Sequence, residues 1–170
     1  DDVLKNINNK LIKRHPHIFK NGKEKISFDK KSWEINKKKS KNRASVLDGT
    51  PISLPSIIKS QRLQEKASSV GFDWDNINDV WTKLYEEIDE LKIACEKGQL
   101  KSIEEEIGDC FFSLVNLARH LNISAENSVR KTNNKFSKRF KEIEIKVSKM
   151  SKKINEMSNE EISKLWESVK

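Results

Sequence analysis

Glycine and proline are scarce, with 5 Gly and 3 Pro in 170 residues. A β-sandwich needs a turn roughly every ten residues, and so few turn-formers exclude it. Cysteine is limited to Cys95 and Cys110, which have no CxxC spacing. A disulfide framework and a structural zinc are therefore excluded, and a reducing compartment is expected. No apolar run approaches the roughly 18 residues of a membrane span. The N-terminus, Asp1-Asp2-Val3-Leu4-Lys5, has no apolar core of a secretory signal and no initiator Met. A cytoplasmic chain that is an excerpt or a processed product is the expectation. Hydrophobic residues make up only 35% and charged residues also 35%. That balance favours helices with wide solvated faces, and the length corresponds to about one domain, or one domain plus a fragment.

The charge is uneven. The chain carries +8 overall with a pI near 9.4, a balance that points first to nucleic acid. Yet residues 86–109 hold nine acids and three bases. An acidic island in a basic chain is either a cation site beside a polyanion site or a pair of solvated helix faces.

Hydrophobic spacing predicts a series of helices. Residues 1–14 form the first, with Val3, Leu4, Ile7 and Leu11 on one face, ended by His15-Pro16. A second is expected over about 28–42, capped by Ser27 and carrying Trp33 and a basic tail. Two prolines and a glycine mark 44–55 as a linker. Ser56 is expected to cap a helix to about Val70, followed by the aromatic turn Phe72-Asp73-Trp74-Asp75. The next helix spans about 78–97 with Gly98 just past its end. Ser102-Ile-Glu-Glu105 reads as a capping box opening a helix to about Leu121. Ser124 opens a long basic helix to about Met150, and Ser158-Asn-Glu-Glu161 opens a last one carrying Trp166. The expected fold is all-α. A faint repeat relates Lys10–Arg14 to Lys135–Arg139 and Trp33-Glu34 to Trp166-Glu167, either as a truncated first copy of the C-terminal unit or by chance in a Lys-rich chain.

Glu87 and Glu90 are three apart on one helix, and Glu106 and Asp109 are three apart on the next. Residues at i and i+3 share a face, and a short connection makes the two helices antiparallel neighbours. Four facing carboxylates require protonation or a cation, and oxygen donors alone suit a hard divalent ion such as Mg²⁺. The apolar stripe on the first helix is read as Trp81, Leu84, Tyr85, Ile88, Leu91 and Cys95, with Glu87 and Glu90 bordering it. On the second helix the core face is read as Ile107, Cys110, Phe111, Leu114, Leu117, Ala118 and Leu121. Beside it runs a polar stripe of Glu106, Asp109, Ser113, Asn116 and His120, a candidate cleft wall. Equally, Glu-rich helix faces are commonly just solvated. Residues 127–141 contain six bases and no acid, with Lys131, Lys135, Lys138 and Arg139 on one face. A carboxylate-held metal beside that face suits a substrate with several phosphates; a solvated helix or a nucleic-acid footprint gives the same pattern. Trp166 either packs or stacks on a planar ligand. His15 and His17 are read as loop residues, and His120 as a helix C-terminal partner rather than a base.

Several elements in order resemble the MazG family of nucleoside triphosphate pyrophosphohydrolases. They are Val70-Gly-Phe-Asp-Trp74, Lys83-Leu-Tyr-Glu-Glu87-Ile-Asp-Glu90, Glu104-Glu-Glu-Ile-Gly-Asp109, Val115-Asn-Leu-Ala-Arg-His-Leu121, Lys131–Phe140 and the terminal Trp166. The resemblance covers about residues 56–170 as a C-terminal catalytic domain. Residues 1–43 resemble the tail of the family's N-terminal repeat, without its carboxylate helices, and 44–55 the linker. It implies a dimeric helical bundle hydrolysing NTP or dNTP to NMP or dNMP and pyrophosphate, dependent on Mg²⁺ with Mn²⁺ as a substitute. By matching position, Glu87, Glu90, Glu106 and Asp109 would be catalytic metal ligands. Lys83, Tyr85, Glu86, Asn116, Lys135, Arg139 and Trp166 would contact substrate, Trp166 near the base. A related all-α dUTP or dCTP pyrophosphatase is the rival within this class, and a basic nucleic-acid-binding module or a non-catalytic helical scaffold outside it.

Overall fold

The computed structural model describes residues 2–14, 18, 44–150 and 153–170. The helix expected over 28–42, its Ser27 cap and the Trp33 half of the repeat lie outside the described residues, as do His15 and His17. Among those described there are six α-helices and no strand. The fold is all-α, as composition and periodicity require. Two compact units divide at residues 122 and 123.

The first unit contains α1 (Asp2–Arg14), α2 (Ser56–Ser68), α3 (Ile77–Lys97) and α4 (Leu100–His120). Its centre is the α3–α4 pair. Asn76 caps α3, its side chain accepting from the Asn78 N–H at 2.9 Å. Gly98 ends α3 in the left-handed region at φ 65°, a conformation that costs glycine nothing. Only Gly98 and Gln99 separate the helices, so α4 must run back along α3. Val80, Leu84 and Leu117 form the buried cluster, with Ile77 and Ile88 packed on it. Burial of each such side chain stabilises by about 1.5–3 kcal/mol.

Helix α2 packs on another face of α4, where Gln64 Nε2 donates to the Phe112 carbonyl at 2.8 Å. The segment before α2 is folded as turns over 46–49. Buried Lys66 donates from Nζ to the carbonyls of Val46 at 3.2 Å and Asp48 at 3.1 Å. Backbone carbonyls that accept from an ammonium lower the cost of burying it.

Three local expectations are corrected. Ser56 is the first residue of α2, and the cap position is held by Pro55. Ser102 lies inside α4, whose cap position is Gln99, so the expected box does not open it. The largest correction concerns the buried faces. Trp81, Tyr85 and Cys95 are exposed, whereas Glu87 is buried on the line Val80, Leu84, Glu87, Ala94. On α4, Ile107, Phe111, Leu114 and Leu121 are exposed, while Ser113, Val115 and Leu117 are buried. Helix α4 is covered by α3 and α2, which leaves a third, apolar face open. Periodicity finds an apolar face but does not tell which neighbour covers it.

The second unit contains α5 (Ala125–Lys149), a short 3₁₀ turn (Ile154–Glu156) and α6 (Asn159–Glu167). Ser124 caps α5, and Ser158 with Glu161 forms the expected capping box of α6. Ile143, Val147 and Leu165 form its core, with Ile154, Met157, Trp166 and Val169 packed on it. The stretch 127–138 of α5 is exposed throughout.

Candidate active site

The α3–α4 pair brings together Glu87, Glu106 and Asp109, with one carboxylate oxygen from each within 4.8 Å of the others. Glu87 is buried, Glu106 half-buried and Asp109 exposed, so the group opens from the helix seam toward solvent. Lys83, one turn before Glu87 on α3, places Nζ 2.8 Å from Glu87 Oε1 and 2.9 Å from Glu86 Oε1. Those two carboxylates raise the Lys83 pKa and hold the side chain charged, against the smaller opposing effect of burial. Glu106 takes up its proton more readily than an ordinary glutamate. Burial raises its pKa first, and the charges of Glu90, Asp109, Glu87 and Glu105 raise it further. Glu90 is thus felt electrostatically at Glu106 but stands outside the tightest trio. Cys110 shares this environment: burial and the carboxylates of Glu87, Glu106 and Asp109 raise its pKa and keep it a thiol.

This donor set fits a hard divalent cation. All three donors are oxygens on two rigid helices, and their mutual repulsion, visible at Glu106, is what a cation would relieve.

The remaining predicted site residues are distributed differently. Tyr85 is exposed and stacks on Trp81 with ring centroids 5.9 Å apart. By helical rotation it projects roughly 160° away from Glu87 and does not join the carboxylates. Asn116 lies on the Asp109–Ser113 side of α4, two turns beyond Asp109, and its Oδ1 accepts from Arg119 Nη2 at 2.7 Å. In the second unit, Arg139 lies over the Trp166 ring at 5.9 Å and donates to the Lys170 carbonyl at 3.0 Å. Phe136 packs on the same ring at 5.6 Å. Lys135 is exposed one turn before Arg139.

One polar group escaped the sequence reading. Asp73 accepts from Arg119 Nη1 at 2.9 Å, and His120 Nε2 lies 3.0 Å from Asp73 Oδ1. Partial burial alone would raise the Asp73 pKa. Hydrogen bonds from Arg119 and Ser68, the Arg119 charge and the Trp74 N–H outweigh it and hold the carboxyl well below the usual range. Asp73 thereby ties the Gly71–Trp74 turn to the end of α4. His120, the last residue of α4, faces the Asp73 carboxylate of this turn.

A helical hairpin whose facing sides carry clustered carboxylates defines a candidate metal-dependent phosphoryl-chemistry site. The sequence profile of the MazG nucleotide pyrophosphohydrolase domain matches residues 77–143, which include the whole trio. A nucleoside triphosphate pyrophosphohydrolase/pyrophosphatase MazG of Thermotoga maritima is 38% identical over 172 residues, spanning 100% of this chain and 65% of that protein. A nucleoside triphosphate pyrophosphohydrolase of Escherichia coli K12 is 36% identical over 176 residues, spanning 100% of this chain and 67% of that protein. An uncharacterized Bacillus subtilis protein, YabN, is 40% identical over 174 residues, of which this chain covers 36% of the length. The chain belongs to the MazG family. It spans about two thirds of the length of the first two relatives.

Proposed function

We propose that this chain is a Mg²⁺-dependent nucleoside triphosphate pyrophosphohydrolase, converting NTP or dNTP and water into NMP or dNMP and pyrophosphate. The observation that carries the reading is the convergence of Glu87, Glu106 and Asp109 within 4.8 Å on a rigid hairpin, together with relatives named for this reaction.

In this reading Glu87, Glu106 and Asp109 hold the cation, with Glu90 completing the acidic set. The bound ion, Mg²⁺ or Mn²⁺, supplies charge neutralisation and polarises a phosphoryl oxygen. Lys83, already held between Glu86 and Glu87, is placed to neutralise a phosphate, and Glu86 steadies it. One carboxylate of the acidic set accepts the proton of the attacking water. Lys135 and Arg139 neutralise the departing pyrophosphate, Arg139 by its fork of donors. Trp166, Tyr85 and Asn116 complete the substrate contacts. The exposed apolar face of α4 covers a second copy in a homodimer. The setting is cytoplasmic; among the described residues no helix is long and apolar enough to cross a membrane.

The test is a panel of all NTPs and dNTPs with Mg²⁺, resolving NMP plus pyrophosphate from NDP plus phosphate. Release of orthophosphate, or no turnover with any nucleotide, rejects the reading. A confined preference for dUTP or dCTP assigns the chain to that rival specificity.

A further inference from the structure

Arg119 uses two edges of its guanidinium at once. The end-on edge forks onto Asp73, with Nη1 donating to Oδ2 at 2.9 Å and Nη2 to Oδ1. The side edge grips Asn116, with Nε donating to Oδ1 at 3.1 Å and Nη2 at 2.7 Å. A guanidinium has donors only, so it holds an amide oxygen and never an amide NH₂. That fixes which way round the Asn116 carboxamide stands, with the oxygen on Arg119 and the nitrogen turned away. The side chains of Arg119 and Asp73 are only 13% and 25% exposed. A charge-assisted fork in that setting is strong and directional.

Asn116 is left with a single group to offer. Its Nδ2 donates to no group among the described residues, and the residue is half-buried. Held this way, Nδ2 can meet only a hydrogen-bond acceptor. Asn116 follows Asp109 by seven residues, so two turns of helix return it to the same side of α4. The rise over that distance is about 10 Å, within reach of a nucleotide whose phosphates lie at the acidic trio.

We propose that Asp73 and Arg119 are positioning residues: their relay holds the Asn116 carboxamide with Nδ2 toward the bound nucleotide, where it donates to a substrate oxygen. The proposal rests on the reading of the chain as a nucleoside triphosphate pyrophosphohydrolase with Asn116 among its substrate contacts. It adds two residues that touch no substrate and act through a third.

The first arm of the test reads Asn116 directly by NMR. Its side-chain NH₂ signals are identified by their absence from Asn116→Ala. The full chain with Mg²⁺ is titrated with α,β-methylene ATP, whose bridge resists cleavage between the α and β phosphates. The Asn116 signals are expected to shift in the wild type, and at least half of that shift is lost in Arg119→Lys at saturating ligand. A lysine is a point donor and cannot hold Asp73 and Asn116 by two edges together. No shift in the wild type overturns the proposal even where ATP is hydrolysed. A shift in a chain that hydrolyses no nucleotide upholds the relay and rejects the functional reading. An equal shift in both proteins overturns the relay. The second arm is a double-mutant cycle on turnover. Arg119→Lys is expected to lower kcat/KM for ATP about three- to tenfold, the worth of one hydrogen bond. In an Asn116→Ala background the same substitution changes it less than about 1.5-fold, because the group it acts through is gone. A purely structural Arg119 costs the same in both backgrounds, and that result overturns the proposal. Should Arg119→Lys lose helicity by circular dichroism, Asp73→Asn takes its place in the same cycle, with the same outcomes.

Discussion

Lys83 Nζ lies 2.8 Å from Glu87 Oε1, so the buried carboxylate of the acidic trio carries a counter-ion from its own helix. The lysine lowers the cost of burying Glu87. It also places a positive charge beside the proposed cation site.

The two roles of Lys83 separate by sign. Replacing it with Met removes repulsion toward the cation and leaves Glu87 without its partner. Mg²⁺ affinity, measured by calorimetry, is expected to tighten about three- to tenfold, the effect of roughly 1 kcal/mol between neighbouring charges. Turnover is expected to fall about 30- to 1,000-fold, because a phosphate contact strengthened in the transition state is lost. Cation affinity and turnover falling together would reject this division of roles.

Asp109 is the exposed member of the trio. Asp109→Asn keeps the side-chain size and removes one charge from a repelling set. Without divalent ions, the variant should melt at the same temperature as the wild type or above it, since the repulsion that raises the Glu106 pKa is reduced. Mg²⁺ should raise the wild-type melting temperature, and this shift should be lost in the variant along with most activity. An undiminished Mg²⁺ shift would place the ion elsewhere.

How far the sequence reveals this molecule depends on the range of the interaction. Caps at Ser124 and Ser158 and the Gly98 stop are set by residues within one turn, and they are legible. The box at Ser102 has the right letters, but α4 begins earlier, at Leu100, and absorbs it. Glu87 was expected to border the buried stripe; it lies within it, while Trp81 and Tyr85 stack on each other on the exposed side of the helix. The Asp73–Arg119 pair joins residues 46 apart. An Asp in the aromatic turn and an Arg-His pair at the end of α4 were visible separately, but no local pattern connects them. The carboxylate trio was legible because two i, i+3 pairs sit on helices joined by only Gly98 and Gln99.

The open face of α4 gives an assembly prediction. Ile107, Phe111, Leu114 and Leu121 recur at helical spacing and are exposed. Covering each would stabilise an interface by about 1.5–3 kcal/mol. Light scattering should give about twice the 19.8 kDa chain mass for the wild type. Phe111→Asp should shift it to the single-chain mass with helicity retained. A wild-type monomer at high micromolar concentration would exclude the dimer.

Asp73 gives a pH prediction with a definite sign. Its folded pKa is depressed by Arg119, Ser68 and the Trp74 N–H, against burial. Folded Asp73 therefore holds fewer protons than unfolded Asp73 as pH falls through the ordinary carboxylate range. The stabilisation is complete above that range and is lost progressively toward the depressed folded pKa. At pH 7, Asp73→Asn should cost about 1–3 kcal/mol, the worth of hydrogen bonds to a charged group. Denaturant titrations should show this gap narrowing between about pH 4 and pH 2. A constant gap would mean that Asp73 acts through shape rather than charge.

Arg139 separates a phosphate clamp from a general basic surface. Its guanidinium lies 5.9 Å from the Trp166 ring and donates to the Lys170 carbonyl, so the fork is already oriented. If it binds phosphate oxygens, Arg139→Lys keeps the charge but loses the two-pronged geometry. Arg139→Ala should reduce kcat/KM by about 30- to 1,000-fold, and Arg139→Lys should recover only part of it. Lys10, exposed on α1, is the control. Exposed charges interact weakly in salt, so Lys10→Ala should change kcat/KM by less than about threefold. All three variants are compared at equal ionic strength and fixed Mg²⁺, with circular dichroism confirming that α6 remains folded. Equal small losses at both positions would mean that the basic helix acts only through net charge. Full recovery by Arg139→Lys would remove the forked contact and leave simple attraction.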